Sequence, residues 1–193
     1  MLFRSRYAQD IPSLMKYDLI NVISDGANTR YGSLFSSYEF YFKWNSTDGT
    51  DYNNADGIDA IRILIEGLFT HRTLLNILCS YVYFPDNSDS NTLILPKYYQ
   101  YYGAEAMYAH IIEEHEKGSG KGGTYWGATG CGKSFTMLFL SKRLTTAVEL
   151  HKPTIILLTD RNDLDEQLSG DFENAKEYLV DENSISIVNR EKL

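Results

Sequence analysis

The hydrophobic pattern changes character part-way along the chain. Up to about residue 85 the apolar positions come in short, dissimilar stretches. The first segment, through about Leu14, has helical spacing. Leu19-Ile20-Asn21-Val22-Ile23 is a compact apolar run closed by Asp25-Gly26, which predicts a buried strand and a turn. Tyr38, Phe40, Phe42 and Trp44 alternate with Glu39, Tyr41 and Lys43, so period two predicts a strand with one aromatic face. Ser46 to Gly57 is rich in Asp, Asn and Gly and reads as a loop. From Ile58 to about Cys79 apolar residues recur at helical spacing, among them Ile61, Leu64, Ile65, Leu68, Leu74, Leu75 and Leu78. Gly67 and Thr70 are expected to break this run into two helices. Tyr81 to Phe84 fits a strand or an extended arm. Pro85 to Ser90 is a polar loop and the expected domain boundary.

Beyond that loop the pattern becomes regular. Leu93 to Leu95 is short and apolar, and Tyr98 to Glu114 has helical character. Glu116 to Lys121 is Gly-, Ser- and Lys-rich, and is expected to be mobile. Thr124-Tyr125-Trp126 predicts a strand, Lys133 to about Leu150 a helix, and Thr154 to Leu158 a buried strand. A helix follows, capped by Asn162 or by Asp163, with Glu166 completing a capping box in the second case. Ser184 to Val188 predicts another strand. Alternation of strand and helix implies a parallel sheet covered on both faces.

One segment inside this region carries chemistry. Gly127-Ala128-Thr129-Gly130-Cys131-Gly132-Lys133-Ser134 fits G-x-x-x-x-G-K-[ST] without a mismatch, between the predicted strand and helix. Glycines allow the backbone to curl so that several N–H groups face one anion, and the helix start adds its positive dipole end. Lys133 is expected to reach the β- and γ-phosphates of a nucleoside triphosphate, with the Ser134 hydroxyl on Mg²⁺. The bland reading is an incidental glycine-rich turn, and the flanking strand and helix signals argue against it. The expected fold class is α/β: the parallel sheet of a P-loop (RecA-like) half-lobe, preceded by a small mixed α+β segment.

Composition narrows the possibilities. The 193 residues carry a net charge of −8, which argues against a self-sufficient nucleic-acid binder with a basic face. Fifteen tyrosines stand out. Aromatic clusters can stack on bases, but more often they are packing residues with a wet tip. Cys79 and Cys131 lack metal or redox spacing, and a free thiol in the phosphate loop implies a reducing compartment. The charged start and the lack of a long apolar run point to a cytoplasmic protein without a membrane partner.

Tyr99-Gln100 lies upstream of the phosphate loop at the predicted helix start. In superfamily 2 helicases and translocases a Tyr-Gln so placed reads adenine. An amide suits that role, because it can donate to N7 and accept from the N6 amine. An exposed, uninvolved Gln is the bland reading. Thr159 to Leu168 follows the predicted second strand, where such motors face the nucleic-acid backbone; its several carboxylates fit a solvated helix start equally well.

Taken together, residues 122–134, with Gly122-Gly123-Thr124-Tyr125-Trp126 leading into the loop, and Thr159-Asp160-Arg161-Asn162-Asp163-Leu164-Asp165-Glu166-Gln167-Leu168 resemble the motor (R) subunit of type I restriction endonucleases. So do Val22-Ile23-Ser24-Asp25-Gly26-Ala27-Asn28-Thr29-Arg30-Tyr31-Gly32, and Arg6-Tyr7 with Ile11-Pro12. The resemblance implies a tail of a nuclease domain over 1–57, a helical connector over 58–91 and the N-terminal part of a P-loop motor lobe over 92–193. It implies ATP and Mg²⁺ as cofactors. Gln100, Gly127, Ala128, Thr129, Gly130, Cys131, Gly132, Lys133 and Ser134 would bind the nucleotide, with Ser134 on the metal. Partners would be duplex DNA and the methylation and specificity subunits. Phe3 stands where the family has a Gln. The nuclease carboxylates, the acidic Mg²⁺ box and the arginine finger have no counterpart here, so no catalytic residue is assigned. The resemblance thus implies a fragment of an ATP-dependent translocating and cleaving enzyme that binds ATP weakly and does not itself hydrolyse it or cut DNA. A self-standing small P-loop NTPase or nucleotide kinase is the rival; it would need an acceptor site and a lid, and neither is legible. A degenerate remnant without activity is a third reading, separable by nucleotide affinity.

Overall fold

The computed structural model describes residues 10–34, 36–86, 93–158 and 162–179, with only the backbone described over 162–167. These residues divide into two compact units. One holds the described residues up to 84 together with 93–98; the other holds 85–86 and those from 99 onward.

The first unit is built on a hairpin. Strand β1 (Asn21–Ser24) pairs antiparallel with β2 (Thr29–Gly32), in the register Asn21 to Gly32 and Ser24 to Thr29. The turn forms where the sequence places Asp25-Gly26. The Asp25 carboxylate accepts the backbone N–H groups of Ala27 (2.9 Å) and Asn28 (2.6 Å), which hold its pKa below the usual carboxylate range. Gly26 takes φ of +85°. A bridge joins Tyr31 to Phe42 on the other side of β2. β2 is therefore the central element, burying Thr29, Tyr31 and Gly32.

Two expectations are corrected here. β1 is not a buried strand: Val22 and Ile23 are exposed, and among the described residues only β2 pairs with it. The alternating aromatics do not form a strand either. Tyr38–Phe40 is a 3₁₀ turn with Tyr38 and Phe40 exposed, while the interleaved Tyr41 is fully buried. The turn re-phases the chain. Tyr41 then covers Gly32, where a Cβ would come within 2.8 Å of its ring, and its hydroxyl donates to the Ser33 carbonyl at 3.0 Å.

The core of this unit is aromatic. Tyr31 meets Trp44 edge-on at 5.5 Å, and Trp44 meets Tyr98 at 6.4 Å. The buried Tyr31 hydroxyl donates to the Pro96 carbonyl at 2.6 Å. The helical run breaks as its sequence predicts. After a single turn α1 (Pro12–Met15), α2 (Ile58–Gly67) and α3 (His71–Ser80) follow. Thr70 caps α3, its side chain accepting the Thr73 N–H. α2 buries Ala60, Ile63, Leu64 and Gly67, which is one face at helical spacing. Gly67 lies so close to Trp44 and the Ser46 carbonyl that a Cβ has no room.

The second unit is helical among the described residues. α4 (Tyr98–Glu116) starts one residue before it, and α5 (Lys133–Thr145), α6 (Asn162–Glu173) and α7 (Lys176–Leu179) follow. α5 buries Thr136, Leu138, Phe139, Leu140 and Ser141 and packs against α6 and α7. α4 and α5 are tied by Arg143, whose Nε donates to Glu105 at 2.6 Å and whose guanidinium lies 4.2 Å from the Tyr108 ring centre. The link after α4 contains Gly118 and Gly120 at positive φ, and Ser119 is tied back to the Glu114 carboxylate.

Among the described residues the expected parallel sheet is not seen. Residues 124–126 and 154–158 carry no ladder, and among the described residues the sole sheet is the antiparallel hairpin. Ile156 and Leu158 are exposed rather than buried. A strand is defined by its pairing, and an apolar run without a laterally paired neighbour remains extended coil. The expected strand at 184–188 lies outside the described residues, as does most of the expected N-terminal helix.

Removing the Tyr31 hydroxyl leaves a buried carbonyl short of its donor. Tyr31→Phe is expected to destabilise the first unit by about 1–3 kcal/mol. Urea unfolding followed through buried Trp44 measures this; Tyr38→Phe, on an exposed ring, should stay within about 0.5 kcal/mol of wild type.

Candidate functional site: the phosphate loop

The loop is shaped by its glycines. The chain turns at Thr129-Gly130, where the Cys131 N–H donates to the Ala128 carbonyl at 3.2 Å. Gly130 and Gly132 hold φ of +78° and +80°. Gly132 stands immediately before α5, so the positive end of that helix opens into the loop. Gly127 has a different reason to be glycine: a Cβ there would come within 2.7 Å of the Cys131 sulfur.

Ala128, Thr129, Gly130 and Lys133 are exposed, while Gly127, Cys131, Gly132 and Ser134 are half-buried. The Lys133 ammonium folds across the loop and donates to the carbonyls of Gly127 (2.7 Å) and Ala128 (3.3 Å). Two charge-assisted bonds hold it there. Ser134 hydrogen-bonds the Asp171 carboxylate of α6; burial pushes the Asp171 pKa up, against that bond. Sequence reading missed Asp171, since a lone Asp late in an acidic helix carries no motif.

Gln100 departs most from expectation. It is buried, at 3% exposure, on the first turn of α4. Its side-chain amide donates to the carbonyls of Cys131 (3.3 Å) and Gly132 (3.1 Å). Tyr125, just before the loop, lies against Gly103 of α4, where a Cβ would come within 2.8 Å of its ring. Burial raises the pKa of both Tyr125 and Tyr99. An apolar cavity of about 290 Å³ lies between α4 and residues 123–125, lined by Gly103, Met107, His110 and Tyr125 among others.

The donor set fits a nucleotide: curled backbone N–H groups, one ammonium and a hydroxyl beside a helix start. Among the described residues, no group of three or more His, Cys, Asp or Glu could hold a metal by itself. Asp48 is a turn residue, its carboxylate accepting the N–H and hydroxyl of Thr50, and Asp86 accepts the Glu177 N–H. Residues 159–161 lie outside the described residues, and α6 begins at Asn162. No helix among the described residues is long and apolar enough to cross a membrane.

Residues 99–193, which include this loop, match the SWI2/SNF2 ATPase family model. The likeness to individual proteins extends further towards the N-terminus. The chain is 35% identical over 178 residues to the HindI endonuclease subunit, a type I restriction enzyme subunit of Haemophilus influenzae, covering 90% of this chain and 17% of that one. It is 29% identical over 178 residues to the SauCOLORF180P endonuclease subunit of Staphylococcus aureus strain COL, a type I restriction enzyme subunit, with the same coverage. Over most of its length the chain is thus similar to type I restriction enzyme endonuclease subunits, and it spans about one-sixth of the length of these relatives.

The two glycines at positive φ should respond differently to a methyl group. Gly130 has open space around its missing Cβ, whereas one on Gly132 would come within 2.6 Å of Gln100 Nε2. Gly130→Ala is expected to cost about 1–2 kcal/mol from backbone strain alone. Gly132→Ala should cost more, because it adds a collision in a buried place. Thermal unfolding followed by circular dichroism compares the two.

Proposed function

We propose that this chain joins a nuclease-like region to the start of an ATP-driven motor, in a protein that moves along duplex DNA and cuts it. Residues 1–57 belong to the tail of the nuclease-like domain, 58–91 to a helical connector and 92–193 to the motor lobe. Residues 124–126 and 154–158 are two strands of the lobe's parallel sheet. The observation that carries this reading is the loop from Gly127 to Ser134, which curls through two positive-φ glycines into a helix start within the ATPase-family match.

The backbone N–H groups of Ala128 to Lys133 hold the phosphates. Lys133 would leave the carbonyls of Gly127 and Ala128 to hold the β- and γ-phosphate oxygens. Ser134 would give up its bond to Asp171 to hold Mg²⁺. When bound, the metal neutralises charge on the β- and γ-phosphates. Gln100 belongs to the nucleotide site. The methylation and specificity subunits and duplex DNA are the partners of the whole protein, and its compartment is the cytoplasm. The names of the relatives favour this reading over a free-standing nucleotide kinase.

Titration calorimetry with ATP and Mg²⁺ tests the site. Wild type is expected to bind with Kd on the order of 0.1–1 mM. Lys133→Ala should lose most of that heat; equal heats for the two proteins would remove the loop from the binding site. The 193 residues alone are expected to leave plasmid DNA intact with Mg²⁺ and ATP, since cleavage needs carboxylates grouped around metal. Linear product that vanished in an Asp48→Ala, Asp51→Ala protein would place a nuclease centre in this chain instead.

A further inference from the structure

We propose that Gln100 is a positioning residue of the phosphate loop, acting on its backbone before it acts on any base. The inference rests on the nucleotide-site reading above and refines it. A side-chain amide has two N–H hydrogens. The amide nitrogen donates to the Cys131 carbonyl at 3.3 Å and to the Gly132 carbonyl at 3.1 Å. Turning the amide over would set its oxygen against two carbonyl oxygens, so the chemistry fixes its orientation. The side chain is 3% exposed, and water is poorly placed to replace a lost bond.

Gly132 completes the arrangement. A Cβ on Gly132 would reach within 2.6 Å of Gln100 Nε2, so the amide occupies the space that the missing side chain leaves. The residue with φ of +80° and the residue that binds its carbonyl are thus matched across α4 and the start of α5. An amide held in this way cannot donate to adenine N7 without releasing the loop. Base contact and loop shape are therefore alternatives at one side chain, and Gln100 sets the loop geometry for any phosphate ligand.

The nucleotide-free protein provides the first test. Cys131 lies inside the tethered turn and is half-buried, while Cys79 is exposed and belongs to the other unit, as an internal reference. Gln100→Glu keeps size and shape but removes the two donors. Iodoacetamide labelling, read peptide by peptide, should show Cys131 reacting about fivefold faster or more, the factor corresponding to one net hydrogen bond. The Cys79 rate should not change. Gly132→Ala, which pushes on the amide from the other side, should accelerate Cys131 as well. Unchanged Cys131 rates in both variants would overturn the tether.

Binding provides a readout that a merely structural role would not move. If Gln100 serves the loop, Gln100→Glu weakens inorganic tripolyphosphate and ATP by the same factor. A loss confined to ATP would return Gln100 to base reading and overturn the proposal. Wild type binding neither ligand would instead overturn the phosphate-site reading, and the labelling rates would still decide the tether.

Discussion

The second unit depends on a backbone reversal that a Cβ would penalise. Gly130 and Gly132 both sit near φ of +80°, where an L-residue with a side chain costs about 1–2 kcal/mol. Between them the chain reverses sharply enough for Lys133 to begin a helix at once. That helix carries Leu138, Phe139 and Leu140 inward and brings Arg143 to Glu105 of α4. One element therefore both presents an ammonium and a hydroxyl at its exposed start and anchors itself in the core along its length. A site on a loop is kept in place this way, by tying the loop to something that cannot move independently.

Much of this was legible in residue types, because local chemistry dictates it. Asp25-Gly26 makes its turn from its own carboxylate and its own freedom at φ. Thr70 caps its helix across a few residues of sequence. The match from Gly127 to Ser134 identifies a curled loop since few other patterns place glycine, lysine and serine so. The misses share a different cause. The alternation from Tyr38 to Trp44 has the period of a strand, but a 3₁₀ turn shifts its phase and sends Tyr41 rather than Tyr38 and Phe40 inward. That shift is decided by Gly32, distant in sequence, over which the Tyr41 ring lies. Gln100 and Asp171 show the same limit. Their partners are Cys131, Gly132 and Ser134, and sequence spacing does not reveal such pairings.

The loop in this state is satisfied by its own protein. Lys133 rests on two carbonyls, Gln100 on two others, and Ser134 on a carboxylate. A buried or half-buried polar group left without a partner costs more than the pairing gains, so each group finds the best local acceptor. A triphosphate competes with the Lys133 and Ser134 bonds and does not simply add to them. Its binding energy is the difference between two sets of charge-assisted contacts, which is one physical reason for the weak affinity proposed. The acidic chain, at a net charge of −8, adds a long-range term of the same sign against a polyanion.

The exposed run at 154–158 extends the same reasoning to the fold. Ile156 and Leu158 are 75% and 84% exposed, and full burial of such a side chain contributes about 1.5–3 kcal/mol. An extended apolar segment with no lateral neighbour exposes that surface along with a row of backbone N–H and C=O groups. Pairing would satisfy both at once: the ladder takes the backbone, and the helices on either face take the side chains. The helices that would cover such a sheet are already folded and packed on one another as α5, α6 and α7. What differs between this structure and a parallel layer is therefore lateral pairing of strands, more than the making of new helices. Residues 124–126, which lead into the phosphate loop, would be fixed by the same event. In that arrangement the entry to the loop becomes rigid when its strand gains neighbours, and sheet formation and phosphate binding draw on one backbone segment.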